Sequence, residues 1–582
     1  MQSKVIDIYF KHQNVPKNAG KSFFIWTYCG SNSFNIDNYI DENESIIKNL
    51  ALKHFDPFIK EILISSNPKY FGSLLLQSTL FEKCNFHTSK HWNELIKIYA
   101  LKHISNNNNI RLNLIGFPVK LHQRITHILF KNPSSAKHFY LLKPLLLFPY
   151  LLLINFIHIT RIYVYSLLLR FWGSSKSLGS LNILFISHIT IADIDKASFI
   201  DSFWVKLKEK VSQKYTTVYF LDDSISISTY FKARRLLRLN SLSGNPLICF
   251  NHFYTLKIYF KSIIAYLYLY FFVTKLYLLF RSIFPFERDF SKDFHNSFFS
   301  TELSSSILNY FLIKSVKDNI PLPNSIIYPM EGRGWEYSIN SLFYDSNTLG
   351  YVHRPVKYWD LRLYKSDLEV SFLYWMNAMP NKILTIGEIS YSLLKYSNWP
   401  NNLIFQVEAI RYSDLCMDLK KIKPSLLDVK NILVAGDYDP NTTQLTVDTL
   451  NLAVSQLDTV FSVVFKPHPH NNNIPTWSNC SFVVSYDNIR SLLPNFGIVF
   501  CNSFTSASVD AYLFNKYVIC FLENSGLNMS PLKYNDNVFF CRDSIDVKNA
   551  LLEICNKSEI EICAANNILY YDTSLSRLLN EL

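Results

Sequence analysis

From Ile432 to Phe521 the chain alternates short apolar runs with helix-like stretches, and few folds accept that rhythm. The runs Ile432–Ala435, Phe461–Phe465, Phe482–Val484, Phe496–Phe500 and Tyr517–Phe521 have strand length. Thr443–Leu457, Asp487–Leu493 and Thr505–Phe514 have helical character. Strands joined by helices pair in parallel, with helices over both faces. An open sheet of this kind receives its ligands at the carboxyl ends of its strands.

Two of these ends carry chemistry. Phe461–Phe465 runs into Lys466-Pro467-His468-Pro469-His470, and Phe496–Phe500 runs into Cys501-Asn502-Ser503-Phe504-Thr505-Ser506. The prolines fix the loop so that His468 points one way, with Lys466 adding positive charge. Ser503, Thr505 and Ser506 precede a helix, where hydroxyls and free N–H groups suit an anion. The plainer alternatives are a rigid turn for the first and ordinary helix capping for the second. Together they favour a nucleotide phosphate or diphosphate.

The preceding region repeats the pattern. Leu181–Ser187, the helix Ser198–Val211 and Thr217–Leu221 form a βαβ unit. It continues through Ile326–Tyr328, Leu349–Val352, Lys382–Thr385 and Leu403–Gln406 to a linker, Asp418–Val429. The expected fold class is α/β, with two Rossmann-like domains at 180–415 and 430–582 facing a cleft, the GT-B arrangement. Residues 1–138 form a further α/β region, with strands at Phe23–Tyr28 and Ile110–Gly116 and helices at Glu42–Ile64 and His91–Ile104.

Three blocks of the first Rossmann-like domain carry candidate side chains. In Tyr328-Pro-Met-Glu331-Gly-Arg333-Gly-Trp-Glu336 a carboxylate follows a strand, where it can take a proton from an acceptor hydroxyl. Glu331 is the preferred base, because Glu336 starts a helix. Arg333 suits a phosphate or an acidic sugar; a loop salt bridge is the plainer reading. Gly350-Tyr-Val-His353-Arg354-Pro and Val407-Glu-Ala-Ile-Arg411-Tyr add His353, Arg354 and Arg411 as cleft residues. The pairs Asp193/Asp195 and Asp437/Asp439 have the spacing of a divalent-cation site. Asp437–Pro440 falls between a strand and a helix, so a turn and cap is simpler, and no metal and no cofactor is expected.

Composition narrows the rest. Only 14 glycines occur, and neither a GxGxxG nor a GxxxxGK[ST] loop is present, against dinucleotide and P-loop sites. The ten cysteines include no CxxC pair, which suits reduced thiols in the cytoplasm. The N-terminus lacks the apolar core of a signal peptide. Net charge is +12, unevenly spread. Residues 95–192 hold eleven Lys/Arg and 224–286 hold eight, with no acid in either window, while 430–582 hold nine bases and fifteen acids. Both acid-free windows include apolar segments, 139–172 and 254–286. Basic, tyrosine-rich apolar helices suit the interface of an anionic membrane; a buried core helix and a transmembrane span are the alternatives. The expected partner is therefore the inner face of the cell membrane, peripherally bound, and not nucleic acid.

The Ser202-Phe203-Trp204 element, the Glu331 block, the His353 block, the Arg411 block, the His468 block and Cys501–Tyr512 resemble, in order and spacing, bacterial surface carbohydrate biosynthesis proteins. These are distantly similar to capsule, polysialic acid and CDP-glycerol-type transferases. The resemblance spans roughly 180–520, with a weaker match near 70–130. It implies phosphate binding by His468, Ser503, Thr505 and Ser506, and a base at Glu331. Arg354 beside His353 departs from the family pattern, which touches the acceptor contacts. The implied activity is glycosyl transfer from a nucleotide-sugar donor, such as a CMP-linked acidic sugar, to a glycan or lipid-linked acceptor. CDP-polyol phosphotransfer and a non-catalytic membrane scaffold are the alternatives.

Overall fold

The computed structural model describes residues 5–9, 23–26, 35–53, 56–63, 91–108, 111–118, 121–122, 125, 143–170, 181–189, 201, 203–221, 227–242, 247–283, 300–413, 429–468, 473–477, 482–523, 527–533, 535–557 and 568–582. Three sheets organise them, and every strand pairing is parallel. The first holds β1 (Val5–Tyr9), β2 (Phe23–Ile25) and β3 (Arg111–Ile115), in the order β2-β1-β3.

The second sheet has seven strands: β4 (Ile183–Ile189), β5 (Tyr215–Leu221), β6 (Ile248–Cys249), β7 (Ser325–Pro329), β8 (Asn347–Val352), β9 (Lys382–Thr385) and β10 (Ile404–Gln406). Its spatial order is β6-β5-β4-β7-β8-β9-β10. The third has six: β11 (Asn431–Ala435), β12 (Ser462–Lys466), β13 (Phe482–Val484), β14 (Ile498–Asn502), β15 (Tyr517–Phe521) and β16 (Val538–Cys541), in the order β13-β12-β11-β14-β15-β16. In both, the chain starts in the middle, builds outward on one side, then crosses to the other. That is the Rossmann order, and its reversal opens a crevice at the carboxyl ends of the two central strands. The fold is the expected GT-B-like pair of Rossmann-like domains with an added N-terminal α/β unit.

Burial explains why these runs are strands. Every residue of β7, β14 and β15 is buried, as in sheets covered on both faces. Helix bounds follow capping chemistry. The helix expected from Thr443 starts at Pro440, because Asp439 caps it by accepting from the N–H groups of Asn441 and Thr442. The helix expected over Thr505–Phe514 is shorter, Ala507–Leu513. Of the expected helix Ser198–Val211 only Val205–Lys208 is helical among the described residues. The two apolar segments form helices of 28 residues, Lys143–Arg170 and Leu256–Ile283.

Among the described residues, two groups of contacts tie the units together. Lys533, from the third sheet's domain, ion-pairs with Asp41 and Glu44 of the N-terminal unit, and Arg542 reaches Asp41. The terminal helix Ser576–Glu581 returns to the second sheet. The Glu408 carboxylate accepts from the N–H groups of Arg577 and Leu578, both at 2.9 Å, and Lys382 pairs with Glu581 at 2.8 Å.

Candidate functional site

At the carboxyl end of β7 the chain winds around one buried carboxylate. Glu336 lies in the first turn of the helix Gly334–Leu342 and accepts from the N–H groups of Glu331 (2.8 Å), Gly332 (3.1 Å) and Arg333 (2.9 Å). Gly332 has φ +74°, and a Cβ there would stand 2.8 Å from the Arg362 Cβ and carbonyl oxygen, so only glycine fits. Burial pushes the Glu336 carboxyl up to about 8, against the N–H donors, which favour the charged form. Glu336 thus shapes the loop, and Glu331 is left facing outward from it.

Four sequence-selected side chains meet here. The Glu331 carboxylate lies 3.4 Å from Arg333 Nε, 3.5 Å from His353 Nε2 and 3.8 Å from an Arg354 guanidinium nitrogen. Burial alone would raise its pKa. Arg354, His353, Arg333 and Arg362 more than reverse that and hold the carboxyl well below the usual range. His353 is pushed down to about 4 by burial, with Arg354, Arg411 and His188 adding to the effect and Glu331 opposing it. It is therefore a neutral imidazole at pH 7, and its buried Nδ1 has no hydrogen-bond partner. The GYVHRP and VEAIRY blocks are joined by Tyr351, whose hydroxyl donates to the Glu408 carbonyl (3.1 Å) and accepts from Ile410 N–H (2.8 Å).

The carboxyl edge of the third sheet is different. The switch point lies between β11 and β14, flanked by Gly436-Asp437 and Ser503–Thr505. Gly436 donates to the Lys466 carbonyl (2.9 Å), and a Cβ on it would stand 3.3 Å from His468 N, so Lys466–His468 rest directly on this glycine. The His468 ring meets Tyr438 edge-on at 5.9 Å. Asn502 accepts from Phe504 N–H, and Thr505 caps the next turn by accepting from Ala507 N–H. The Ser503 hydroxyl and the Asn502 amide nitrogen are buried with no hydrogen-bond partner. Ser506 precedes the helix and makes no side-chain cap bond. Lys466 is turned toward its own Pro467 carbonyl and the charge of Asp487, on the β13 side. His470 and the pair Asp193/Asp195 lie outside the described residues. Asp439 is spent on its cap, as the turn-and-cap reading expects.

Two cations connect the edges. Lys357 lies 5.6 Å from the Phe504 ring and interacts with Asp437, both on the third sheet's side, and with Arg354 and Asp360 on its own. Burial pushes it down to about 8. Arg411 is exposed and acts on both His353 and Asp510, the latter in the helix after Ser506. Phe504 itself packs against a core cluster that joins the N-terminal unit, the first Rossmann-like domain and Leu527 and Met529.

Sequence reasoning missed His188, Lys357 and the buried Asp360–Arg362 pair, joined at 2.7 and 2.6 Å. His188 follows an apolar run, the same signal that marked His468, and was recoverable. It stacks on Phe220 and meets Trp335 edge-on. Lys357 and Arg362 follow no strand end or motif, and only the tertiary fold brings them in.

No protein-family model matches the chain, and no curated protein matches it. Among solved structures, the chain is similar to UDP-GlcNAc 2-epimerase from Neisseria meningitidis bound to UDP-GlcNAc. Identity is 9 %, covering 69 % of this chain and 99 % of that one, with a TM-score of 0.40. It is also similar to the Methanocaldococcus jannaschii UDP-GlcNAc 2-epimerase in complex with UDP-GlcNAc and UDP, at 12 % identity, 69 % and 99 % coverage and a TM-score of 0.37. A glycosyltransferase from Rickettsia africae matches at 11 % identity, 69 % and 97 % coverage and a TM-score of 0.36. What this chain does rests on its own residues.

Proposed function

We propose that the chain is a glycosyltransferase of surface polysaccharide assembly, moving a sugar from a nucleotide-activated donor to a hydroxyl of a glycan or lipid-linked acceptor. One observation carries the proposal. Two Rossmann switch points of opposite chemistry are linked by cations. One offers unpartnered hydroxyl and amide groups, and the other a caged carboxylate. The donor phosphates bind over β11 and β14, against His468, Ser503, Thr505 and Ser506. The acceptor sits over β7 and β8, against Arg333 and His353.

In the transfer, the bond from the anomeric carbon to the donor phosphate breaks, and the electron pair leaves with the phosphate. His468 and the hydroxyls stabilise that charge. A bond forms from the anomeric carbon to the acceptor oxygen, whose proton goes to Glu331. In the free protein Glu331 is ionised at neutral pH, yet its caged charge makes it a weak base. The donor supplies the remedy. Its phosphates draw on Arg354 and Lys357, which face the same gap, and Glu331 regains basicity only once the donor is in place.

A thermal-shift panel of CMP-, CDP-, UDP- and GDP-linked compounds tests this. Stabilisation by a nucleotide sugar supports glycosyl transfer. Stabilisation by CDP-glycerol alone moves the assignment to polyol-phosphate transfer, and no response to any of them removes catalysis on nucleotide donors.

A further inference from the structure

The two apolar helices form one antiparallel pair with a single outward face, and we propose that this face lies on an anionic lipid bilayer. The pairing is fixed by polar side chains turned inward. Asn155 donates to the Tyr266 hydroxyl (3.1 Å), Thr160 and Tyr259 share a hydrogen bond (3.0 Å), and Phe148 packs on Tyr270 (4.6 Å between ring centroids). Numbers rise along one helix as they fall along the other, so the helices are antiparallel. A third helix, Thr301–Asn319, closes the inner side, where His158 bonds Ser305 at 2.9 Å.

The outward face is the reverse of an ordinary protein surface. Leu153, Phe156, Ile157, Phe260, Ile264 and Phe271 are 43–65 % exposed. Exposed Arg161, Lys257 and Lys261 stand among them, and neither helix contains an acidic residue. Apolar groups interleaved with bases match a bilayer whose headgroups are anionic. A second copy of the chain fits poorly, since two such faces would oppose like charges. The stretch Phe148–Leu169 has 22 residues and a mean hydropathy of 1.6, enough length to cross a bilayer. Its inward side, however, is bonded to the protein through Asn155, His158 and Thr160, so only one face is open to lipid. The pair lies in the interface plane. The inference stands apart from the proposed transfer reaction and does not depend on it.

The full chain is to be sedimented with vesicles of phosphatidylcholine and phosphatidylglycerol in equal parts, and with phosphatidylcholine alone. Binding is expected to the anionic vesicles and to fall with added salt. Lys257→Gln with Lys261→Gln should lower partitioning roughly thirtyfold, about fivefold for each base near an anionic surface. Phe260→Ser with Ile264→Ser should reduce binding to the anionic vesicles as well. Unchanged thermal unfolding of both variants without lipid shows that the fold is kept. The proposal is overturned by equal binding to neutral vesicles, by no vesicle binding, by a concentration-dependent dimer through this face, or by retention in cell membranes after alkaline carbonate.

Discussion

The second and third sheets share one strand order and present opposite edges. Around β7 and β8 every charge is already engaged: Glu331 with Arg333, His353 and Arg354, and Asp360 with Arg362. Around β11 and β14 the carboxylate of Asp437 stands at the crevice, and Ser503 and Asn502 keep buried polar atoms without partners. Buried polar groups are mostly hydrogen-bonded, and His353 Nδ1 on the other edge is likewise without a partner, so the contrast rests on the order of residues after each strand. One edge stores charge in balance, and the other waits for charge to arrive. The difference teaches that a shared topology positions a site without deciding its chemistry. The residues that follow each strand decide it.

The charged edge breaks first under mutation. Glu331→Gln keeps size and hydrogen bonding but cannot accept a proton, and it should lower kcat by about 10²–10⁴-fold while donor binding stays close to wild type. Transfer at the wild-type rate would move the base elsewhere. Glu336→Ala strips three backbone N–H groups of their acceptor and should cost roughly 3 kcal/mol or more of stability, at 1–3 kcal/mol for each donor left buried. Denaturant unfolding reads that loss; a loss under 1 kcal/mol would mean that the loop around Glu331 does not depend on Glu336.

A pH titration of stability sharpens the comparison, because the charged edge carries the strongly shifted groups. His353 is pushed from 6.5 down to about 4, so the unfolded state binds its proton more readily. Its contribution is fully present above pH 6.5 and is lost as pH falls toward 4, up to about 3 kcal/mol. His353→Gln should flatten that part of the curve. Glu336, raised to about 8, acts with the opposite sign: its contribution is lost as pH rises from its ordinary value of 4.5 toward 8. Below pH 4.5 the depressed Glu331 adds a further loss on acidification. A curve for the His353→Gln variant that still falls by the same amount between pH 6.5 and 4 would show that His353 is not held neutral.

Much of this was legible in the sequence because buried parallel strands announce themselves. Lys382–Thr385, Phe482–Val484 and Tyr517–Phe521 were located to the residue. The short edge strands β6 and β16 were missed. Ile248–Cys249 is too short to show a period, and Val538–Cys541 is only partly buried, so its apolar run competes with no contrast. β1 was overlooked: Val5–Tyr9 is a five-residue run whose full-length partner, β3, lies about a hundred residues along the chain. In the site, strand ends led to Glu331, His353 and His468. They could not lead to Lys357 or Arg362, whose positions come from a turn-rich segment folded back between the domains. Nor could they show that Lys466 turns away toward Asp487.

The central claim is that a nucleotide phosphate binds over the β11–β14 edge. Isothermal titration of the full chain with CMP, CDP, UDP and GDP, in wild type and His468→Ala, tests it most directly. At least one nucleotide should bind the wild type. The variant should bind it about tenfold more weakly or worse, as befits a hydrogen bond to a charged group worth about 1.5–3 kcal/mol, with unfolding unchanged. Equal affinity for a well-folded His468→Ala protein, or no nucleotide bound by the wild type, would contradict the claim.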